Sequence, residues 1–587
     1  MRTPLRAAFR LALTGCLGLA AIAASATAGR AAEPEKMLPD STLFFFKVRN
    51  VAELRQSFEK AGMGQLLADP AMKPLKDDFA AKMEQNNKVV QAKLGMTIGE
   101  LLSLPQGPAT VAVVGKSDVK SPVALLVSAD AGKNAAKMTD VMMKSTKQAE
   151  EANSKVGTES FKGLTLHIIQ PPKDGDKANP PMIWTNAGSV FHIATDLDAL
   201  KDLISHAEGR SDALASVDAF AKTQSKLGSE TPVAWFLDIN KAIKLLAKAG
   251  AAQGGAAQNI EAMLGMTGLN GLKSAGGTFA FNSGAYDSVN KVYFLAPAPT
   301  QGILKMFLMP PTGLRPEPWV PATVASYQTL SWDLDKAYDA LNDLVNQFQP
   351  GMLQQLQQML VGPNGGEPID LQKDIFGPLG DRLTLISDYK KPVKEDSQRI
   401  LLGVALEDTK KFQATLSKII EITGGAPAKR DFQGTTIYDF KLPEMPNANN
   451  GQPNPFKNAS VAVAKDTVYV SSEPALLESI LRGGGSSLAD NPDFLNVAKQ
   501  IPTKSSSLTF AKADEQARVT YDAIKSGRFE AAFKANPNGP DPGKIFDKSK
   551  LPDFSVFAKY LSAGGGFGLM EEDGVTFTTF TLRKTNP

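Results

Sequence analysis

The chain runs to 587 residues, too long for one hydrophobic core, and a typical domain of about 150 residues predicts three or four units. With 43% hydrophobic and 21% charged residues it has the make-up of a globular protein. A formal charge of +3, with no run of five or more basic residues, argues against a nucleic-acid or anionic-membrane partner.

At the N-terminus, Arg2, Arg6 and Arg10 lead into an apolar run over 11–24, and small residues follow at Ala24, Ser25, Ala26, Thr27 and Ala28. This is the pattern of a secretory signal peptide, 1–28, cut after Ala26 or Ala28, and it predicts export to the periplasm or beyond the cell. The run is shorter than the roughly 20 residues that a membrane span needs, so no transmembrane segment is expected after signal removal. That removal takes away three arginines and no acid, bringing the formal charge from +3 to zero. Leu13-Thr14-Gly15-Cys16 resembles a lipoprotein cleavage box, but few apolar residues precede Cys16 and many follow it, which speaks against lipid anchoring there. Cys16 is the chain's only cysteine, so the exported chain is expected to hold no disulfide, thiolate nucleophile or cysteine-bound metal.

Residues 43–48 (LFFFKV) read as a strand, and 51–60 as a helix behind the N-cap candidate Asn50. A second helix is expected over 77–94. The apolar runs 109–114 (ATVAVV) and 123–128 (VALLVS) predict strands that are covered on both faces or central in a sheet. A helix over 134–152 and a hairpin at Phe161-Lys162-Gly163-Leu164 follow, then strands over 182–185 and 190–194. The helix over 196–206 places Leu197, Leu200, Leu203 and Ile204 on one face. A strand over 233–237, a helix over 239–248 and strands over 277–281 and 291–295 complete a first module, 37–297. The Pro-rich stretch 298–320 predicts a stiff linker to a second module, 321–587.

The second half repeats this order. Strand–cap–helix segments stand at 189–204 (SVFHIATDLDALKDLI) and 467–481 (TVYVSSEPALLESIL). Strands over 383–387 and 401–405, a helix over 410–423 and Phe432-Gln433-Gly434-Thr435 match their first-half counterparts. Phe161 and Phe432 lie 271 residues apart, and Ser211 and Ser486 lie 275 apart. A drifting offset with preserved order predicts a duplication with loop insertions and not a short solenoid period. The predicted fold class is α+β: two homologous tandem modules, each mainly antiparallel sheet with helices packed on one face.

Leu38-Pro39-Asp40-Ser41-Thr42 before FFFKV, 64–74 (GQLLADPAMKP), the block 467–481 and Asp490-Asn491-Pro492-Asp493-Phe494 resemble a bacterial family of exported proteins catalogued as a domain of unknown function. The resemblance implies export and a repeated α+β build, and it carries no catalytic residue.

Reactive chemistry is sparse. The chain has three histidines, His167, His192 and His206, without the HxH or HExxH spacing of a metal site. Their repeat counterparts Tyr438 (for His167) and Tyr469 (for His192) point to packing. No GxSxG elbow marks a nucleophile. Gly483-Gly484-Gly485 follows a helix and reads as its C-cap; Gly564-Gly565-Gly566, matching Ala275-Gly276-Gly277, reads as a bulge or a close backbone approach at a strand entry. Asp196 and Asp198, and Asp333 and Asp335, suit helix N-termini; Glu571, Glu572 and Asp573 before Gly574 suit a hairpin turn, without an EF-type calcium loop. The segment 351–361 (GMLQQLQQMLV) is amphipathic and reads as core packing or as a Met-rich face for an apolar partner.

No catalytic, metal or cofactor residue is therefore assigned. The expected function is a non-catalytic binding or structural module of the periplasm or cell envelope, with envelope proteins or an apolar ligand as partner. A carrier of lipid or another apolar ligand and a hydrolase without a recognisable motif stand as alternatives.

Overall fold

The computed structural model describes residues 33–584 apart from 119–120, 173–178, 229, 252–259, 362–366, 392, 394–396, 423–426, 443–457, 529 and 531–546. The expected signal peptide with Cys16, the Pro-rich loop at 443–456 and most of its counterpart at 171–180 lie outside these residues. The chain divides into two compact units. The first holds residues up to Ala296 except 70–75 and 264–271, which belong with Pro297–Pro587 to the second.

The first unit is built on ten strands: β1 (Thr42–Val48), β2 (Ala109–Gly115), β3 (Val123–Asp130), β4 (Lys155–Phe161), β5 (Leu164–Gln170), β6 (Met182–Ala187), β7 (Val190–Ala194), β8 (Val233–Asp238), β9 (Ser274–Ser283) and β10 (Tyr286–Leu295). All pairings among them are antiparallel, in the order β4-β5-β6-β7-β3-β2-β1-β8-β9-β10. Its principal helices are α1 (Val51–Lys60), α2 (Ala135–Glu151), α3 (Leu197–Ser205), α4 (Asp218–Leu227) and α5 (Ile239–Ala251). Asn50 caps α1 by accepting from the Glu53 amide at 3.0 Å, and Asp196 caps α3 through the Ala199 amide at 2.9 Å. The β4–β5 turn puts Lys162 and Gly163 both at positive φ, the geometry of a two-residue hairpin.

Helices cover both faces of this sheet, which corrects the expectation of a single covered face. Ile183 shares a core cluster with Leu200 and Leu203 of α3 and Phe220 of α4. The next residue, Trp184, belongs instead to a cluster with Met142 of α2, and its indole donates to Thr146 at 2.9 Å. Successive strand residues point to opposite faces, so α2 and the α3–α4 pair lie on opposite sides.

The second unit also has ten strands: β11 (Ser326–Ser331), β12 (Leu379–Tyr389), β13 (Gln398–Leu406), β14 (Ala428–Phe432), β15 (Thr435–Lys441), β16 (Asn458–Ala464), β17 (Thr467–Ser471), β18 (Ser507–Ala511), β19 (Gly564–Glu571) and β20 (Gly574–Leu582). Their order is β14-β15-β16-β17-β13-β12-β11-β18-β19-β20, again antiparallel throughout. Helices α6 (Leu334–Phe348), α7 (Thr409–Ile422), α8 (Pro474–Arg482), α9 (Pro492–Ala498) and α10 (Ala513–Ser526) occupy the same places between strands as α1 to α5. Asp333 caps α6 through the Lys336 amide at 3.0 Å. Gln433 and Gly434 repeat the positive-φ pair at the β14–β15 turn.

The Pro-rich segment 298–320 is structured within this second unit instead of running free as a linker. Val320 is fully buried, and the Leu488 amide donates to its carbonyl at 2.9 Å. The helix Met352–Met359 buries Leu353 but leaves Met359 76% exposed, so the Met-rich stripe is only partly core. No described helix is long and apolar enough to cross a membrane.

Gly483 ends α8 at φ +63, as a C-cap. Gly564, Gly565 and Gly566 lie in regular β19, whose two ladders run without a register shift, so close approach and not a bulge explains the run. A Cβ on Gly565 would overlap Val497 of α9. Gly276 meets Thr223 of α4 in the same way. We therefore expect Gly565→Ala to cost roughly 1–3 kcal/mol through overpacking, read as a lower denaturation midpoint. An unchanged midpoint would show that α9 is not seated on the strand.

Candidate functional site

The alternation of β1 sets the site. Phe45, Lys47 and Arg49 fall on one face by the period of two. The register then lines up two parallel rows across four strands. Phe45, Ala112, Leu126 and Ala194 form an apolar row; Lys47, Thr110, Ser128 and His192 form a polar row beside it. The apolar row belongs to the core under α3 and α4. Every member of the polar row lines a cavity of about 570 Å³ within the first unit.

The helical turn Pro34–Met37 crosses over this face, and Glu33, Glu35, Met37 and Leu38 contribute to the lining. It is held at its end by the Leu214 amide, which donates to the Leu38 carbonyl at 2.8 Å. Lys47 Nζ donates to Glu35 Oε1 at 2.6 Å, the two side chains being only 16% and 17% exposed. The other carboxylate oxygen, Glu35 Oε2, is buried without a hydrogen-bond partner, as is Oε1 of Gln106. Unpaired buried acceptors carry a desolvation cost of roughly 1–3 kcal/mol each. At one edge Asp130 accepts from the Gly132 amide at 2.8 Å, and Arg49 pairs with Glu230. Ala112, Leu126 and Leu203 supply the apolar floor. A Cβ on Gly107 would overlap the Asp130 carboxylate and displace it.

His192 is 7% exposed, and burial pushes its pKa down to about 4, so the ring is neutral at pH 7. Its Nδ1 lies 2.8 Å from Ser128 Oγ, the imidazole's only hydrogen-bond partner among the described residues. A Ser–His pair without a carboxylate on the second ring nitrogen lacks the group that orients and stabilises an imidazolium in a hydrolytic triad. A base with a pKa near 4 is also too weak to take a serine proton near neutrality. The arrangement suits holding a ligand, with a polar rim over an apolar floor.

The other histidines stand apart from this cavity. His167 stacks on Trp184 with ring centroids 4.0 Å apart, and burial lowers its pKa. His206 ends α3, with Nδ1 2.8 Å from the Asp202 carbonyl oxygen. Glu571 and Gly574 pair across the β19–β20 turn. Among the described residues no group of three or more His, Cys, Asp or Glu side chains is placed to hold a metal ion. A further hollow of about 590 Å³ in the second unit is lined by the turn 432–436 together with residues such as Gln413, Leu416, Val463 and Leu481, and it mixes polar with apolar groups.

The sequence singles out His192 as a histidine, whereas Glu35, Lys47, Gln106, Ser128 and Asp130 carry no local motif. One signal was present: Lys47 interrupts LFFFKV at a position whose parity matches Phe45, so a charge had to point into an apolar face.

Comparison with known proteins gives no relative: no protein-family model, no curated protein and no solved structure matches the chain.

The buried imidazole makes stability depend on pH. A folded pKa near 4 lies below the unfolded value of about 6.5, so the unfolded chain takes up a proton that the folded one refuses as pH falls between them. His192 therefore destabilises the fold progressively below pH 6.5. We expect His192→Gln to remove roughly 2 kcal/mol of the stability difference between pH 7 and pH 4.5, measured by denaturant unfolding at both values. Parallel pH profiles for the two proteins would contradict a neutral, buried ring.

Proposed function

We propose that the chain is a tandem duplication of one α+β module and acts as an exported, non-catalytic binding protein for a small amphipathic ligand. The duplication is supported by the shared strand order and by matching details. Pro39 bridges Ala213 and Pro321 bridges Ser487. The Asp40 and Ala322 amides donate to the Asp212 and Ser486 carbonyls, both at 2.8 Å. Export rests on the sequence of 1–28, and membership of the exported family that the chain resembles belongs to the same proposal.

The observation that carries the binding reading is the 570 Å³ cavity, a size that suits a small molecule, with an apolar floor and two buried acceptors awaiting donors. Its polar row makes an amphipathic ligand a better fit than a purely apolar one. Nothing about the Ser128–His192 pair favours turnover.

Gently purified full-length protein is expected to carry one small molecule per chain in native mass spectrometry, and Glu35→Ala to weaken its retention at least tenfold. A ligand-free protein that instead hydrolyses a substrate, with the activity lost in Ser128→Ala, would replace this reading with an enzymatic one.

A further inference from the structure

In the second unit the equivalent place is filled by a plug, the indole of Trp319. Register fixes the equivalence. Lys47, Thr110, Ser128 and His192 form one row, and Thr329, Thr384, Gly403 and Tyr469 form the row at the same place in the second unit. Carbonyls of Leu38 and Val320 accept from Leu214 and Leu488 alike, so the residues just before them, Met37 and Trp319, correspond, as do Glu35 and Glu317.

Trp319 packs on the strand at Gly403, where a Cβ would come within 2.8 Å of the indole. Its ring meets Tyr469 edge-on, with centroids 5.2 Å apart. Beside it Glu317 is saturated: Oε1 accepts from Arg382 Nε at 2.9 Å and from Thr384 Oγ1, and Oε2 accepts from the Tyr327 hydroxyl at 3.1 Å. Burial, reinforced by the Glu317 charge, holds the Tyr327 phenol well above its usual pKa, so it stays a donor.

The first unit lacks these parts one by one. Met37 replaces the indole, and Ser128 the glycine beneath it. Phe45 stands at the position of Tyr327, and Pro108 at that of Arg382. With phenylalanine in place of the tyrosine, one oxygen of Glu35, Oε2, has no donor, whereas on Glu317 the Tyr327 hydroxyl supplies one. The first site is thus short of one planar ring and one hydrogen-bond donor.

We propose that the first unit binds a small molecule with a planar aromatic ring and an N–H or O–H donor, the ring lying over Ser128 beside His192 and the donor on Glu35 Oε2, while the second unit is occupied by its own Trp319. This rests on the duplication and binding readings above and narrows them to a ligand class and to one site per chain.

Tryptamine, which carries both ring and donor, and hexylamine, which carries the donor alone, serve as probes of the full-length protein by calorimetry. We expect tryptamine to bind at one per chain and at least tenfold more tightly than hexylamine. Met37→Trp, which installs the plug, should weaken tryptamine at least tenfold without lowering the melting temperature. Trp319→Met frees the space of a ring beside a Glu317 that keeps its donors, so there tryptamine is expected to bind through its ring alone and to raise that variant's melting temperature more than hexylamine does. Equal binding of the two amines, or binding unchanged by Met37→Trp, would overturn the aromatic-ligand inference. A co-purified non-aromatic ligand that Met37→Trp expels would overturn it while leaving the binding reading intact. A ligand load that neither Met37→Trp nor Glu35→Ala alters would sink both.

Discussion

A lysine forced onto the buried face of a sheet is the constraint from which the first unit's site follows. The pleat of β1 gives Lys47 the same facing as Phe45, and the antiparallel ladder sets Thr110, Ser128 and His192 beside it. A charge in that position needs a partner, because an unpaired buried ammonium would neutralise or unfold its surroundings. Glu35 supplies the partner, and only a chain segment laid across the sheet can bring it there. The ion pair therefore holds the roof, and the roof and the polar row together keep open a volume that Phe, Leu or Met side chains would otherwise fill.

The second unit meets the same geometry with another choice of residues. There the row position of Lys47 is Thr329, whose hydroxyl bonds to Thr384 at 2.8 Å, and the crossing segment brings an indole in place of a methionine. Glu317 then finds its donors in Arg382, Thr384 and Tyr327, with no lysine needed. One backbone framework supports an open site and a filled one, and the difference lies in a handful of side chains. Under the proposed duplication, one copy would have filled with packing the place that the other leaves open.

Much of the framework was legible in the sequence. The runs ATVAVV, VALLVS and VFHIA became β2, β3 and β7, and Asn50, Asp196 and Asp333 cap the helices that their positions suggested. The two-residue turns at Lys162-Gly163 and Gln433-Gly434 were readable from the glycine at each second position, which reaches positive φ without steric cost. Two features were not readable. Sheet coverage is not legible, because an amphipathic helix shows that one of its faces is buried, not against which side of a sheet. The stretch 298–320 reads as a linker because its prolines resist regular structure, yet a turn there buries Val320 and sets a half-buried Trp319 against a strand.

The site was harder still. Glu35 and Gln106 stand far from Ser128 and His192 in sequence, and nothing local marks any of them as functional. Local sequence determined the elements, their caps and their turns, since those depend on neighbours a few residues away. Tertiary structure decided which residues share a row, which acceptors lack donors and which of two equivalent sites stays open, since those depend on strands meeting across long loops.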